Sequence, residues 1–468
     1  MTSFKEQKAK ILQHSGNENL KGILPLSERE ELLENMVLKP AVTAAPFDTK
    51  KSFLDNKSDY DASDLLKVLQ RMPKGAVLHT HGIASAGMKD VVSALQEDGH
   101  FYVWQGGDGI LEGNLKAFPD GATPEAGWEP AASVPAEKLY NYLTVPAGIT
   151  SVDEMWTIFG NMWMRLLPGT GVAPFYFGEN KMLWRMLKRF HETGVFYVEI
   201  KESIYTPLTE YDGTELSDMA MVQQFQDTVR LFCQKYPDFV GAKLVVTCVK
   251  FQTAEDVGKG ILRAIDMKEK FPESIAGFDL AGAEDLPSPV ETFQPFIEEG
   301  MSLARERGID LPLLLHGGET NMPDGEQIID CVLVGCRRIG HGFALSRHPE
   351  LIEVVKEKGI SLECNPLSNQ VLRYTPDLAA HASLGLFRSG VIMTISGDDP
   401  GMWHCDDVSY DFAAVVKAWR LSLAEVKALC RNSITEAMLD DSTQKSALRK
   451  WETQWADWVE TELSKAGL

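Results

Sequence analysis

The chain has 468 residues, 44% of them hydrophobic and 24% charged, enough apolar content to bury a large core in one domain with appendages or in two domains. Its 67 acidic and 46 basic residues give a net charge of -21, which repels nucleic-acid phosphates and anionic bilayers and argues against both as partners. No apolar run is long enough to span a membrane and the opening MTSFKEQKAK leads into polar sequence, so the expected location is the cytoplasm.

Residues 1–72 read as a helical arm. SEREELLENMVL carries a serine cap with Glu30 three residues later, and SDYDASDLLKVLQRM has apolar positions at helical spacing. Such an arm serves packing or oligomerisation. From residue 73 to residue 468 the pattern is that of one barrel domain. GAVLHTH (75–81), GVFYVEIK (194–201), GAKLVVTCVK (241–250), IAGFDLAG (275–282), LPLLLHGGE (311–319), RRIGHG (337–342), ISLECNPLSN (360–369) and VIMTISGDD (391–399) are apolar, strand-like runs. Helical stretches such as AEDVGKGILRAIDMKEKF and HPELIEVVKEKG separate most of them. Eight strands alternating with helices predict an α/β fold, a (β/α)8 TIM barrel whose active site forms at the strand C-termini.

One interval departs from this rhythm. The first two strands are separated by an insertion, 82–193, far longer than an ordinary βα connection. Its first part, WQGGDGILEGNLKAFPDGATPEAGWEPAASVP, reads as a loop or small inserted subdomain. Its second part, VDEMWTIFGNMWMRLL and ENKMLWRMLKRFHE, reads as helices that roof the barrel mouth. Beyond the last strand, Trp451, Trp455 and Trp458 recur at helical spacing and predict a buried packing stripe. The seven cysteines, several inside apolar strands, predict free thiols rather than disulfides.

The chemistry gathers at the strand ends. His79 and His81 project from one face of a strand because side chains alternate, so both imidazoles reach one ion. Alone, H-x-H is a weak signal, more often a core or surface pair. His316 ends the fifth strand and Asp398 the eighth, and three neutral nitrogens plus one carboxylate, with room for a water, suit a catalytic Zn2+. His341 also ends a strand, and it is the coincidence of all these groups at one barrel face that carries the metal reading. Glu319 follows His316 after two glycines that let the backbone turn at the rim, where a closed pocket raises a carboxyl pKa and suits it to general-acid work; the bland alternative is a helix cap. His341 would hold or deprotonate an attacking water, or else be an ordinary core histidine. Asp399 points away from Asp398 and is a candidate substrate contact or second proton acceptor.

LHTH, GFDLAG, HGGE, RIGHG, NPLSN and SGDDP stand in the order and rough spacing of the adenosine deaminase family, a zinc branch of the metal-dependent amidohydrolase barrels. MPKGAVLH, FPESIAGFDLAGAED, RIGHGFALSRHP, SNQVL and SYDF resemble more specifically its growth-factor-related, type 2 subfamily, over residues from about 60 to the C-terminus. The resemblance implies one Zn2+ per chain held by His79, His81, His316 and Asp398, and hydrolytic deamination of a 6-aminopurine nucleoside. Glu319 would protonate N1 of the purine, His341 handle the attacking hydroxide, Asp399 bond N7, and the backbone at Gly282 meet N3. It also suggests a homodimer. The strand-four run IAGFDLAG has no lysine to bridge a second metal, and no P-C-x-x-C is present, which disfavours the other zinc deaminase class.

The sugar half departs from the family. Members place an aspartate at or just after the H-x-H, whereas here Gly82, Ile83 and Ala84 follow and the next acid is Asp90. Trp156 and Glu154 are the insertion's candidates for that region, with Trp403 and His404 beside them. The leader and insertion cysteines of the secreted members do not appear. Adenosine and 2′-deoxyadenosine are the leading substrates; the alternatives are a 5′-modified adenosine, adenine or AMP, and, from another class, a non-catalytic nucleoside-binding protein.

Overall fold

The computed structural model describes residues 3–6, 20, 23–104, 115–204, 207–285, 289–323 and 325–468. The eight expected runs form parallel strands: β1 (Gly75–His81), β2 (Val195–Ser203), β3 (Gly241–Val249), β4 (Ile275–Ala281), β5 (His316–Gly317), β6 (Arg338–His341), β7 (Ser361–Cys364) and β8 (Met393–Ile395). They make two four-stranded sheets, ordered β1-β2-β3-β4 and β8-β7-β6-β5. Single parallel bridges join their edges: Thr80 pairs with Asp398, and Phe278 with Leu313. The ring is thereby a (β/α)8 barrel.

The second half is built of shorter strands than the sequence suggests. In LPLLLHGGE only His316 and Gly317 keep a ladder. Pro312 has no N–H to contribute, and Gly318 turns the chain away at φ 75°. Inside the barrel Val245, Ala276 and Leu314 form a small apolar plug apart from the main core. The rest of the strand interior is charged: Glu199, Lys201, Asp279, Arg338 and Glu363 are all buried.

The insertion contains a three-stranded antiparallel sheet, with Phe101–Trp104 between Leu115–Ala117 and Trp128–Pro130. Residues 105–114, inside the expected surface insertion, lie outside the described residues. Of the two helices expected over the mouth, α1 (Val152–Thr170) reaches it: the Trp163 ring meets His81 edge-on at 6.4 Å. The other, α2 (Met182–Glu192), does not. Its apolar stripe, including Leu183, Met186, Leu187 and Phe190, is buried, and only Thr193 and Gly194 separate it from β2. So short a link folds the helix back along the barrel's outer wall.

The N-terminal arm is fastened to the C-terminal helix α3 (Asp441–Lys465). The Ser27–Glu30 capping box forms as read. Glu30 accepts from Trp455 Nε1 at 2.7 Å and Lys427 Nζ at 2.6 Å, while Arg71 pairs with Glu462 at 2.6 Å. Trp451, Trp455 and Trp458 are buried, and all seven cysteines are unpaired. No helix among the described residues is long and apolar enough to cross a membrane.

Candidate metal centre and active site

β1 delivers His79 and His81 to one face, β5 delivers His316, and the turn after β8 delivers Asp398. One ligand atom from each lies within 4.8 Å of the others. His81 Nε2 is 3.0 Å from Asp398 Oδ1, and His79 Nε2 is 3.1 Å from the same oxygen. His81 Nε2 and His316 Nε2 face each other at 3.2 Å. Two imidazole nitrogens that close cannot both carry protons, and both face the same point as Asp398 Oδ1.

The surrounding layer fixes the lone pairs of His79 and His316. His79 Nδ1 is 2.8 Å from Glu363 and His316 Nδ1 is 2.9 Å from Asp279. Each ring donates its Nδ1–H outward to a carboxylate and turns Nε2 inward, the orientation metal-ligating histidines require. Lys201 Nζ stands between the two acids, 3.4 Å from Asp279 and 3.3 Å from Glu363, and Arg338 pairs with Glu363 at 2.6 Å. Burial resists the charge on Asp279 and Glu363, but His316 and Lys201 beside the first, and Lys201 and Arg338 beside the second, hold both carboxyls well below the ordinary range. Burial, opposed by Asp279, pushes His316 down to about 3, so its imidazole is neutral at physiological pH. The donor set and the surrounding tautomers fit a divalent metal of the zinc kind.

Two site residues hold the left-handed backbone that side chains other than glycine rarely adopt, His341 at φ 62° and Asp398 at φ 62°. Each side chain is thereby turned back over the strand ends. Asp398 Oδ2 accepts from Ser368 Oγ at 2.7 Å. His341 Nδ1 accepts from Asn369 Nδ2 at 3.0 Å, whereas its Nε2 is buried with no protein partner, 3.9 Å from Asp398. Burial, reinforced by the neighbouring histidines, keeps this ring neutral.

Glu319 is also buried. Its Oε1 lies 3.2 Å from His341 Nδ1 and 3.3 Å from Asn369 Nδ2, and its N–H donates to Glu284 at 2.8 Å. Burial and the Asp398 charge push its carboxyl well up, so it holds a proton. Asp399 is raised for the same two reasons, and its Oδ1 has no partner. Gly282, just past β4, has φ 122° and remains partly accessible.

The structure thus brings His79, His81, His316, His341, Glu319 and Asp398 around one centre, with Asp399 beside it. The residues read for the sugar side fare differently. Glu154 is exposed, and Asp90 pairs with Arg189 at 3.4 Å. Trp156 reaches the mouth through Tyr374, whose hydroxyl accepts its Nε1–H at 2.7 Å. Trp403 Nε1 donates to Gly397, and both nitrogens of His404 bond the insertion, at Tyr140 and Val145, each at 2.8 Å. Those two residues clamp the insertion to the loop after β8. The reading passed over Asn369, Glu363, Asp279, Lys201 and Arg338. Charged residues two apart inside apolar strands, such as Glu199 and Lys201, were the available signal.

A family model described as adenosine deaminase matches residues 179–453. Adenosine deaminase 2 of Sus scrofa is 27% identical over 490 residues, covering 98% of this chain and 94% of that protein. An adenosine deaminase of Phlebotomus duboscqi is 30% identical over 422 residues, covering 85% of this chain and 79% of its own. Among solved structures, an amidohydrolase from Burkhoderia ambifaria with bound Zn superposes with a TM-score of 0.57 at 18% identity, covering 86% of this chain and 95% of that one.

Proposed function

The chain belongs to the adenosine deaminase family and is a hydrolytic deaminase, and on that premise we propose that it converts adenosine and 2′-deoxyadenosine, with water, to the corresponding inosine and ammonia. The observation that carries this reading is the meeting of a metal-ligand set with a buried Glu319 and an unpartnered Asp399 oxygen in one centre. We assign one zinc per chain to His79, His81, His316 and Asp398. A zinc ion held by these four would supply Lewis acidity toward the attacking water.

The chain's own groups do the rest. Glu319 gives its proton to purine N1, which drains electron density from C6 and readies it for attack. His341, neutral and with its Nδ1 accepting from Asn369, carries its proton on Nε2, which has no protein partner and is free to donate to the attacking oxygen and hold it in line. Asp399, kept protonated by burial, donates to N7, and the accessible backbone of Gly282 meets N3. Water adds at C6, the amino group leaves as ammonia, and the Glu319 carboxylate regains a proton. Residues 1–72 serve as a packing arm to the barrel of 73–468, and the active form is a homodimer, which light scattering reporting a monomer would remove. Seven unpaired thiols suit a reducing compartment, and on that ground we place the protein in the cytoplasm.

An ammonia-release assay on zinc-loaded protein, run across adenosine, 2′-deoxyadenosine, 5′-methylthioadenosine, adenine and AMP, tests the reading. The first two are expected to turn over best. Preference for the 5′-modified compound would move the assignment to that substrate, and silence across the panel would leave a nucleoside-binding protein.

A further inference from the structure

A half-buried glutamate that the deamination chemistry does not use, Glu202, stands against Gly82, the residue that follows the proposed ligand His81. Glu202 is the penultimate residue of β2, one past Lys201, which pairs in register with His81. The same step on β1 leads from His81 to Gly82. A Cβ built on Gly82 would stand 2.9 Å from Glu202 Oε2 and 3.2 Å from Oε1, so the carboxyl lies over the backbone next to a proposed metal ligand. Gly82 has φ 33°, and it leaves the carboxyl the space a side chain would fill.

Little in the protein accounts for this carboxyl. Its one hydrogen bond among the described residues comes from Tyr176, an insertion residue, whose hydroxyl donates to Oε2 at 3.2 Å. No lysine, arginine or histidine among the described residues forms an ion pair with it. Burial consequently pushes it up to about 7. Gly82, Ile83 and Tyr176 around it are buried, yet Glu202 keeps partial solvent access. An acid placed in an apolar surround with one neutral partner and an accessible face is costly as architecture and suited to binding a polar group.

We infer that Glu202 is the sugar-recognising residue of this enzyme: its carboxyl accepts a hydroxyl of the nucleoside and turns away a phosphate in the same place. The inference rests on the nucleoside reading given above. A hydroxyl donates readily to a carboxyl, whether Glu202 is charged or shares a proton with Tyr176. A 5′-phosphate brings two negative charges and no donor, so it meets repulsion from the ionised carboxyl, the form that predominates above about pH 7. Tyr176 fixes the carboxyl's direction, and the insertion thereby enters substrate choice without touching the metal.

The test compares wild type, Glu202→Gln and Glu202→Asp, all zinc-loaded, on adenosine, 5′-deoxyadenosine, 3′-deoxyadenosine and AMP. Zinc content and circular dichroism establish that each variant is intact. Glu202→Gln is expected to raise KM for adenosine about ten- to a hundredfold with kcat little changed, the loss of one charge-assisted hydrogen bond. The penalty is expected to vanish for the one deoxy analogue that lacks the bonded hydroxyl, and discrimination against AMP is expected to narrow. A purely structural carboxyl would move neither of those two differences. Glu202→Asp keeps the charge one methylene back and carries the test should the glutamine variant fail to fold. An active wild type with KM and AMP discrimination unchanged in a folded variant overturns the inference and leaves the deaminase reading standing. A wild type silent on every nucleoside overturns both.

Discussion

At the scale of single residues, the centre is a set of opposed protonation states held by burial. Glu319 and Asp399 are pushed up by the same Asp398 charge that His79 and His81 hold in place. Glu319→Gln keeps the shape and removes the transferable proton. It is expected to lower turnover by about 10²–10⁴ while leaving zinc content intact; turnover at the wild-type level, with metal retained, would remove Glu319 from the role proposed for it. The ligand set was legible in the sequence because each member ends a strand, where chain order and barrel geometry together dictate its position. Glu363, Asp279 and Asn369 were not legible. Their partners lie 284, 37 and 28 residues away, and only the closed fold brings an acid on β7 to a histidine on β1.

At the scale of elements, the helix Leu423–Thr435 ties the barrel's first and last strands. Ser433 Oγ accepts the Ala76 N–H at 2.9 Å at the base of β1, and Asn432 Nδ2 reaches the Met393 carbonyl in β8 at 3.2 Å. Ser433→Ala leaves a buried backbone N–H unpaired and is expected to cost about 1–3 kcal/mol in denaturant unfolding; a loss within error would mean that water or a shifted strand takes the serine's place. All eight strands were legible as apolar runs, as were the arm's capping box and the tryptophan stripe. The insertion was legible only in part. Periodicity gave α1 and α2 the same amphipathic character, but it does not say which surface an apolar stripe covers. Two residues between α2 and β2 settle that for α2, and the link length counted for more than the composition.

At the scale of the whole molecule, stability and the site share parts. His381 donates from Nε2 to Asn369 Oδ1 at 3.1 Å, and its Nδ1 accepts the Ser383 N–H at 3.2 Å. A second ring proton would face a donor, and burial pushes this histidine down to about 4. The unfolded chain, at an ordinary value near 6.5, binds a proton that the fold refuses, so this residue makes stability rise with pH between about 4 and about 6.5. The full difference is roughly 3 kcal/mol. His381→Gln is expected to flatten that part of the stability profile, and an unchanged slope would show that the ring is not the group responsible. Chelation is a second whole-molecule test. Stripping the metal is expected to abolish turnover and lower the unfolding temperature, both returning with added zinc; an unfolding temperature indifferent to verified metal loss would mean the four groups hold no ion. The bridge between Thr80 and Asp398 carries a further consequence, one of timing. The residue that closes the ring is also a proposed ligand, and it lies 319 positions along the chain from His79. A growing polypeptide therefore has no place for the ion until its eighth strand has left the ribosome and found its first, and contacts that distant form late. Metal uptake becomes a record of completed molecules: truncated or stalled chains cannot compete for zinc, and occupancy counts only those that have finished folding.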